Sequence, residues 1–149
     1  MKCNFSFVIG CILGLTVFAL LNVLTVGSQS QSPSAYSGDT RTLSEQTKSE
    51  AQVSITVTPT RSDVWRFAIS LETPSVELSQ ALDEVSILTD DRGREYAPTS
   101  WEGDPPGGHH RSGTLLFTGI NPSVKTLTLD VRTIGGVPDR FFTWELGKK

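Results

Sequence analysis

The residues best equipped for chemistry lie in one fourteen-residue stretch, Ser100-Trp101-Glu102-Gly103-Asp104-Pro105-Pro106-Gly107-Gly108-His109-His110-Arg111-Ser112-Gly113. It holds both histidines of the chain, two carboxylates, an arginine and one of three tryptophans. Imidazole nitrogens with carboxylate oxygens suit a transition metal, and copper would be favoured over zinc on intrinsic affinity. The ligand set would be His109, His110, Glu102 and Asp104. It converges only if Pro105-Pro106-Gly107-Gly108 folds the segment back and returns the carboxylates to the histidines. Two physical costs oppose this. Adjacent histidines on an extended chain point to opposite faces. A flexible loop also pays ordering entropy before it binds anything.

A structural reading of the same stretch makes Pro-Pro-Gly-Gly a turn. Trp101 then plugs the end of a domain, while the histidines and Arg111 hydrogen-bond backbone or Glu102 and Asp104. Other constellations are weaker. Asp83, Glu84, Asp90, Asp91 and Glu95 lack EF-hand spacing and read as a solvated hairpin. There is no Gly-x-Ser-x-Gly elbow, no phosphate loop and no His-Glu-x-x-His, so the expectation is a chain that is not an enzyme.

The elements that must position this stretch follow a period of two. Val53, Ile55 and Val57 alternate with Ser54, Thr56 and Thr58. Trp65, Phe67, Ile69 and Leu71 alternate with polar or small partners, as do Leu127, Leu129 and Val131, while Phe142, Trp144 and Leu146 alternate with Phe141, Thr143 and Glu145. This is the pattern of strands with one face in a core and one in water. Val85, Ile87 and Thr89 make a shorter set; Tyr96, and Leu115 with Phe117, complete about seven strands. Asp90-Asp91-Arg92-Gly93-Arg94 reads as a hairpin turn, and Leu78 to Glu84 is the one candidate helix, under two turns long. The expected fold is an all-β, immunoglobulin- or fibronectin-like antiparallel β-sandwich over residues 51–149, with its core on Trp65, Phe67, Phe117, Phe142 and Trp144.

The residues before it read as an address and a tether. Phe5 to Val26 carries no charge, and a helix of 22 residues covers about 33 Å, roughly the hydrocarbon thickness of a bilayer. Lys2 precedes it and the next basic residue is Arg41, which puts the N-terminus in the cytoplasm and the domain outside. Residues 1–27 are therefore expected to be an uncleaved single-pass anchor, with a cleaved signal segment and a secreted product as the alternative. Residues 28–50, rich in Ser, Gln and Thr, read as a disordered stalk. The formal net charge of −3 gives no field for nucleic acid. Cys3 and Cys11 both lie in the first eleven residues, so the expected domain has neither a disulfide nor a thiolate metal site.

Residues 53–146 resemble a small family of uncharacterised exported prokaryotic domains. The resemblance rests on a hairpin like Ser86-Ile87-Leu88-Thr89-Asp90-Asp91-Arg92-Gly93-Arg94-Glu95-Tyr96, followed by the Trp101-to-Arg111 stretch. It implies an envelope-exposed immunoglobulin-like domain and brings no activity with it. The expected function is a non-enzymatic, envelope-tethered interaction domain for an envelope protein or polymer. Copper or zinc binding at the Trp101-to-Arg111 stretch is the alternative.

Overall fold

The computed structural model describes residues 40–147. Among these residues the chain forms two antiparallel sheets packed face to face. The larger sheet contains β1 (Arg41–Thr42), β2 (Gln46–Glu50), β3 (Val53–Arg61), β4 (Trp65–Glu72), β7 (Ser100–Gly103) and β8 (His110–Phe117). Its order is β3-β4-β8-β7, with β1 and β2 both paired along the outer edge of β3. The smaller sheet contains β5 (Ser86–Asp90), β6 (Glu95–Tyr96), β9 (Thr126–Arg132) and β10 (Asp139–Glu145), in the order β10-β9-β5-β6. One short helix, α1 (Leu82–Val85), leads into β5.

Alternation produces the core. The inward residues of β3, β4, β9 and β10 are those of the period-two sets, and Val53, Ile55, Val57, Phe67, Leu71, Leu127, Leu129, Val131 and Phe142 are completely buried. Aromatic rings join the two sheets. Phe67 of β4 meets Phe117 of β8 edge-on, with centroids 5.2 Å apart, and reaches Trp144 of β10 at 5.6 Å. Burying each of these rings contributes roughly 2–3 kcal/mol.

Three expectations need correction. Residues 41–42 and 46–50, read as stalk, are strands of the larger sheet; residues 28–39 of the stalk and the N-terminal segment lie outside the described residues. These strands carry no apolar alternation because β2 is an edge strand whose inward positions are Gln46, Lys48 and Glu50. The edge strand breaks between β1 and β2 where it passes Pro59. Proline has no N–H to offer a neighbour, and what remains is the bond from the Leu43 N–H to the Pro59 carbonyl, 2.8 Å. The second correction is the parity of β5: Ser86, Leu88 and Asp90 are buried there, not Val85, Ile87 and Thr89. The third is β7, a strand that the chemistry-bearing stretch conceals, which helps bring the described strands to ten rather than seven.

Asp90 explains the β5 parity. Its carboxylate accepts the N–H groups of Arg92 and Arg94 at 2.8 and 3.0 Å, the Arg94 Nε at 2.9 Å and the Tyr96 hydroxyl at 2.8 Å. Gly93, at φ 74°, closes the turn. Burial pushes the Asp90 pKa up, but these four bonds outweigh it and hold the carboxyl at about 2, below its usual 3.8. A depressed carboxyl pKa stabilises the fold above the unfolded-state value near 4 and stops doing so as pH falls through about 2. Asp90→Asn is therefore expected to lower the denaturation midpoint at pH 6 and to lower it much less at pH 2. Equal losses at both pH values would show that the charge of Asp90 is not what holds the turn.

Candidate functional site

The stretch singled out by its chemistry is a β-hairpin. β7 pairs with β8 from Ser100↔Leu116 to Gly103↔Gly113, leaving residues 104–109 as the connection. Two glycines face each other at Gly103 and Gly113 because the indole of Trp101 lies across them. A Cβ on Gly113 would sit 2.6 Å from Trp101 Cζ2, and one on Gly103 would sit 2.8 Å from it. The indole N–H donates to the Asp104 carbonyl at 2.8 Å.

Arg111 holds the hairpin against the rest of the domain. It is 1% exposed, and its Nη1 donates to the carbonyls of Leu78 and Gln80 at 3.1 and 2.6 Å. Its Nη2 donates to the Asp104 carbonyl at 3.3 Å, and the guanidinium lies 5.9 Å from the centre of the Trp101 ring. Burial lowers the Arg111 pKa, opposed by the charges of Asp104 and Asp83, and the group remains a cation. Backbone bonds complete the clasp between residues 73–81 and the hairpin. Thr73 N–H donates to His109 O at 3.0 Å, Leu78 N–H to Gly108 O at 3.0 Å, and Gly107 N–H to Leu78 O at 2.8 Å. Leu78, fully buried, closes this end of the core.

The four expected metal ligands are occupied or dispersed. Asp104 Oδ2 accepts the Ser112 N–H at 2.7 Å and its hydroxyl at 3.1 Å. His109 Nδ1 lies 3.0 Å from the Val76 carbonyl, so Nδ1 carries the proton and donates. Glu102 pairs at 3.8 Å with Arg66 of β4, both well exposed. His110 stands opposite Glu72, and Glu102 opposite Thr114, four residues further along β8 and about 13 Å away. Among the described residues no three His, Cys, Asp or Glu side chains gather in a group able to hold a metal ion. The arrangement is that of an end cap, in which the Trp101 indole N–H and both terminal nitrogens of Arg111 bond the surrounding carbonyls, while the buried Arg111 Nε has no hydrogen-bond partner among the described residues.

Open space lies at the opposite end of the sandwich. Two adjoining clefts share Arg61 and Pro122. The first, about 310 Å³, has Trp65, Phe117 and Ile120 as its apolar lining, with Ser62 and Asp63 at its rim. The second, about 570 Å³, lies over Val124 and Leu146 between Lys125 and Glu145. Arg61 is the strut between them: its Nη2 donates to the Pro122 carbonyl at 3.3 Å, and its guanidinium stacks 5.9 Å from the Trp65 ring. Arg41 stands directly opposite Arg61 in the β1–β3 pair. Two like charges facing each other across a ladder repel, and no salt bridge to a carboxylate relieves either among the described residues.

Sequence reading did not find this site. Arg61 closes β3, while Pro122 and Lys125 sit in the β8–β9 connection and Leu146 follows β10, so no spacing links them. The one available signal was Ile120 and Val124, apolar residues inside a segment otherwise punctuated as a loop. Compared with protein-family models, with curated proteins and with solved structures, the chain matches none.

Proposed function

We propose that the chain is a non-enzymatic, immunoglobulin-like binding module, tethered outside the cytoplasm by residues 5–26, which takes up an acidic segment of a partner protein at the paired clefts. The observation that carries the reading is the cleft pair itself, with Trp65 and Ile120 in a largely polar first cleft and Val124 and Leu146 in a more apolar second one. On the lining, Arg61 and Lys125 are matched in number by Asp63 and Glu145, but Arg41 joins them opposite Arg61, and neither Arg41 nor Lys125 forms a salt bridge among the described residues. Such a surface complements an apolar side chain flanked by carboxylates, and the charge steers association as well as adding affinity. The uncharged span from Phe5 to Val26, the basic residue before it and the resemblance of residues 53–146 to exported domains support the location. Among the described residues no helix is long and apolar enough to cross a membrane, so the span rests on those N-terminal residues.

Trp65 lines the first cleft and reports occupancy. Titration with a pool of eight-residue peptides made of glutamate, leucine and phenylalanine is expected to shift its fluorescence. The Arg61→Glu/Lys125→Glu variant should bind at least tenfold more weakly, at unchanged circular dichroism. A basic pool that binds equally well, or affinity unchanged in the variant, would refute the reading. A response to anionic vesicles but not to the acidic peptides would assign the clefts to lipid instead.

A further inference from the structure

The N-terminal edge of the larger sheet is held by contacts indifferent to which chain supplies it. β1 and β2 pair with β3, and β2 also reaches β10 at the edge of the other sheet. The Gln46 carboxamide donates to the Thr143 carbonyl at 2.6 Å and accepts the Thr143 N–H at 3.3 Å, standing where a neighbouring strand would stand. Trp144 Nε1 donates to the Ser44 carbonyl at 2.7 Å, and Arg140 Nη2 to the Glu50 carbonyl at 2.9 Å. The Lys48 ammonium lies 6.0 Å from the centre of the Phe142 ring. Each of these partners follows the β2–β3 turn in the chain. A second copy offers the same set in the same geometry.

The turn that would have to open is strained. Ala51 and Gln52 are the two central residues of the β2–β3 hairpin, with φ of 48° and 64°. A two-residue hairpin with both centres at positive φ favours Asn-Gly, because an ordinary Cβ crowds its own backbone there. Alanine and glutamine supply neither the missing Cβ of glycine nor the short side-chain amide of asparagine. Extending these two residues releases that strain. A short hinge under strain favours strand exchange, since both forms bury the same contacts and differ mainly at the hinge and in the entropy of association.

We propose that residues 40–50 exchange between two copies of this chain, with β1 and β2 of each pairing with β3 and β10 of the other in a closed two-fold dimer. Ser49 and Ser54 make the test direct, since they face each other across β2 and β3 with hydroxyls 2.7 Å apart. In a Cys3→Ser/Cys11→Ser background, full-length chains carrying Ser49→Cys are unfolded and refolded together with chains carrying Ser54→Cys, then oxidised with glutathione. Exchange predicts a disulfide-linked dimer of one chain of each kind. Its yield should be at least tenfold above that from Ser49→Cys mixed with Arg66→Cys, a site on the outer face of β4 remote from Ser49. Ala51→Asn/Gln52→Gly in both chains, which suits the closed hairpin, should lower the yield about tenfold. A yield no higher than the Arg66→Cys control overturns the proposal. So does a yield that the hinge substitution leaves unchanged in chains whose circular dichroism is normal.

Discussion

Replacing Trp144 by alanine is expected to lower the free energy of unfolding by about 3–5 kcal/mol, a large part of what a domain of this size has. Trp144 is 3% exposed and sits where the two sheets meet. Its ring stacks on Phe142 at 6.4 Å and meets Phe67 at 5.6 Å, so its removal opens a cavity bounded by both sheets. Its indole N–H also donates to Ser44 O, which ties the N-terminal edge strand to β10. Trp144→Phe keeps most of the packing and loses that donor, and should cost about 1–2 kcal/mol. Denaturant titration of both variants separates packing from the hydrogen bond. A loss below 1 kcal/mol for the alanine variant would mean that the aromatic cluster does not join the sheets.

Arg111→Ala should be nearly as damaging, at about 3 kcal/mol, although it removes a charge from the interior. The guanidinium is the donor for three carbonyls, those of Leu78, Gln80 and Asp104. Deleting it strips the Gln80 carbonyl of its donor, leaves Leu78 O with only the Gly107 N–H and Asp104 O with only the Trp101 indole N–H, and removes the guanidinium that lies over Trp101. The damage should be local. Amide hydrogen exchange should accelerate over residues 73–81 and 104–109, with β9 and β10 still protected until global unfolding. Arg111→Met restores volume but not donors, so it should recover only part of the loss. Full recovery by methionine would show that packing alone holds this end.

These effects mark what could be read from residue order and what could not. The inward faces of β3, β4, β9 and β10 were legible because burial on one face of a sheet imposes alternation directly. β2 was not, because an edge strand whose inward positions are Gln46, Lys48 and Glu50 has no hydrophobic period to show. Inward charge on an edge guards its free side against the addition of further strands, and the same feature hides the strand from pattern reading. β5 was misread by one residue because Asp90 is buried through hydrogen bonds rather than through apolarity. In the 100–113 stretch the turn role of Pro-Pro-Gly-Gly and the backbone-binding role of Arg111 were legible. The flanking strand was not, since a four-residue strand with a single apolar side chain carries almost no pattern. Arg140, as deeply buried as Arg111 and bonded to the carbonyls of Ile134 and Glu50, gave no signal at all. Composition places arginine at the surface, and only tertiary structure supplies the carbonyls that permit its burial.

On the proposed reading, the two ends of the sandwich divide structure from recognition. One end spends its polar groups internally on the 101–111 hairpin; the other keeps its cations beside open clefts. Nuclear magnetic resonance titration of the isotopically labelled chain with the glutamate-leucine-phenylalanine peptide pool tests that division most directly. The account predicts amide shifts at Arg61–Trp65 and Ile120–Lys125, a shift of the Trp65 indole N–H, and no change over residues 104–110. Shifts centred on residues 104–110, with the clefts silent, would contradict it.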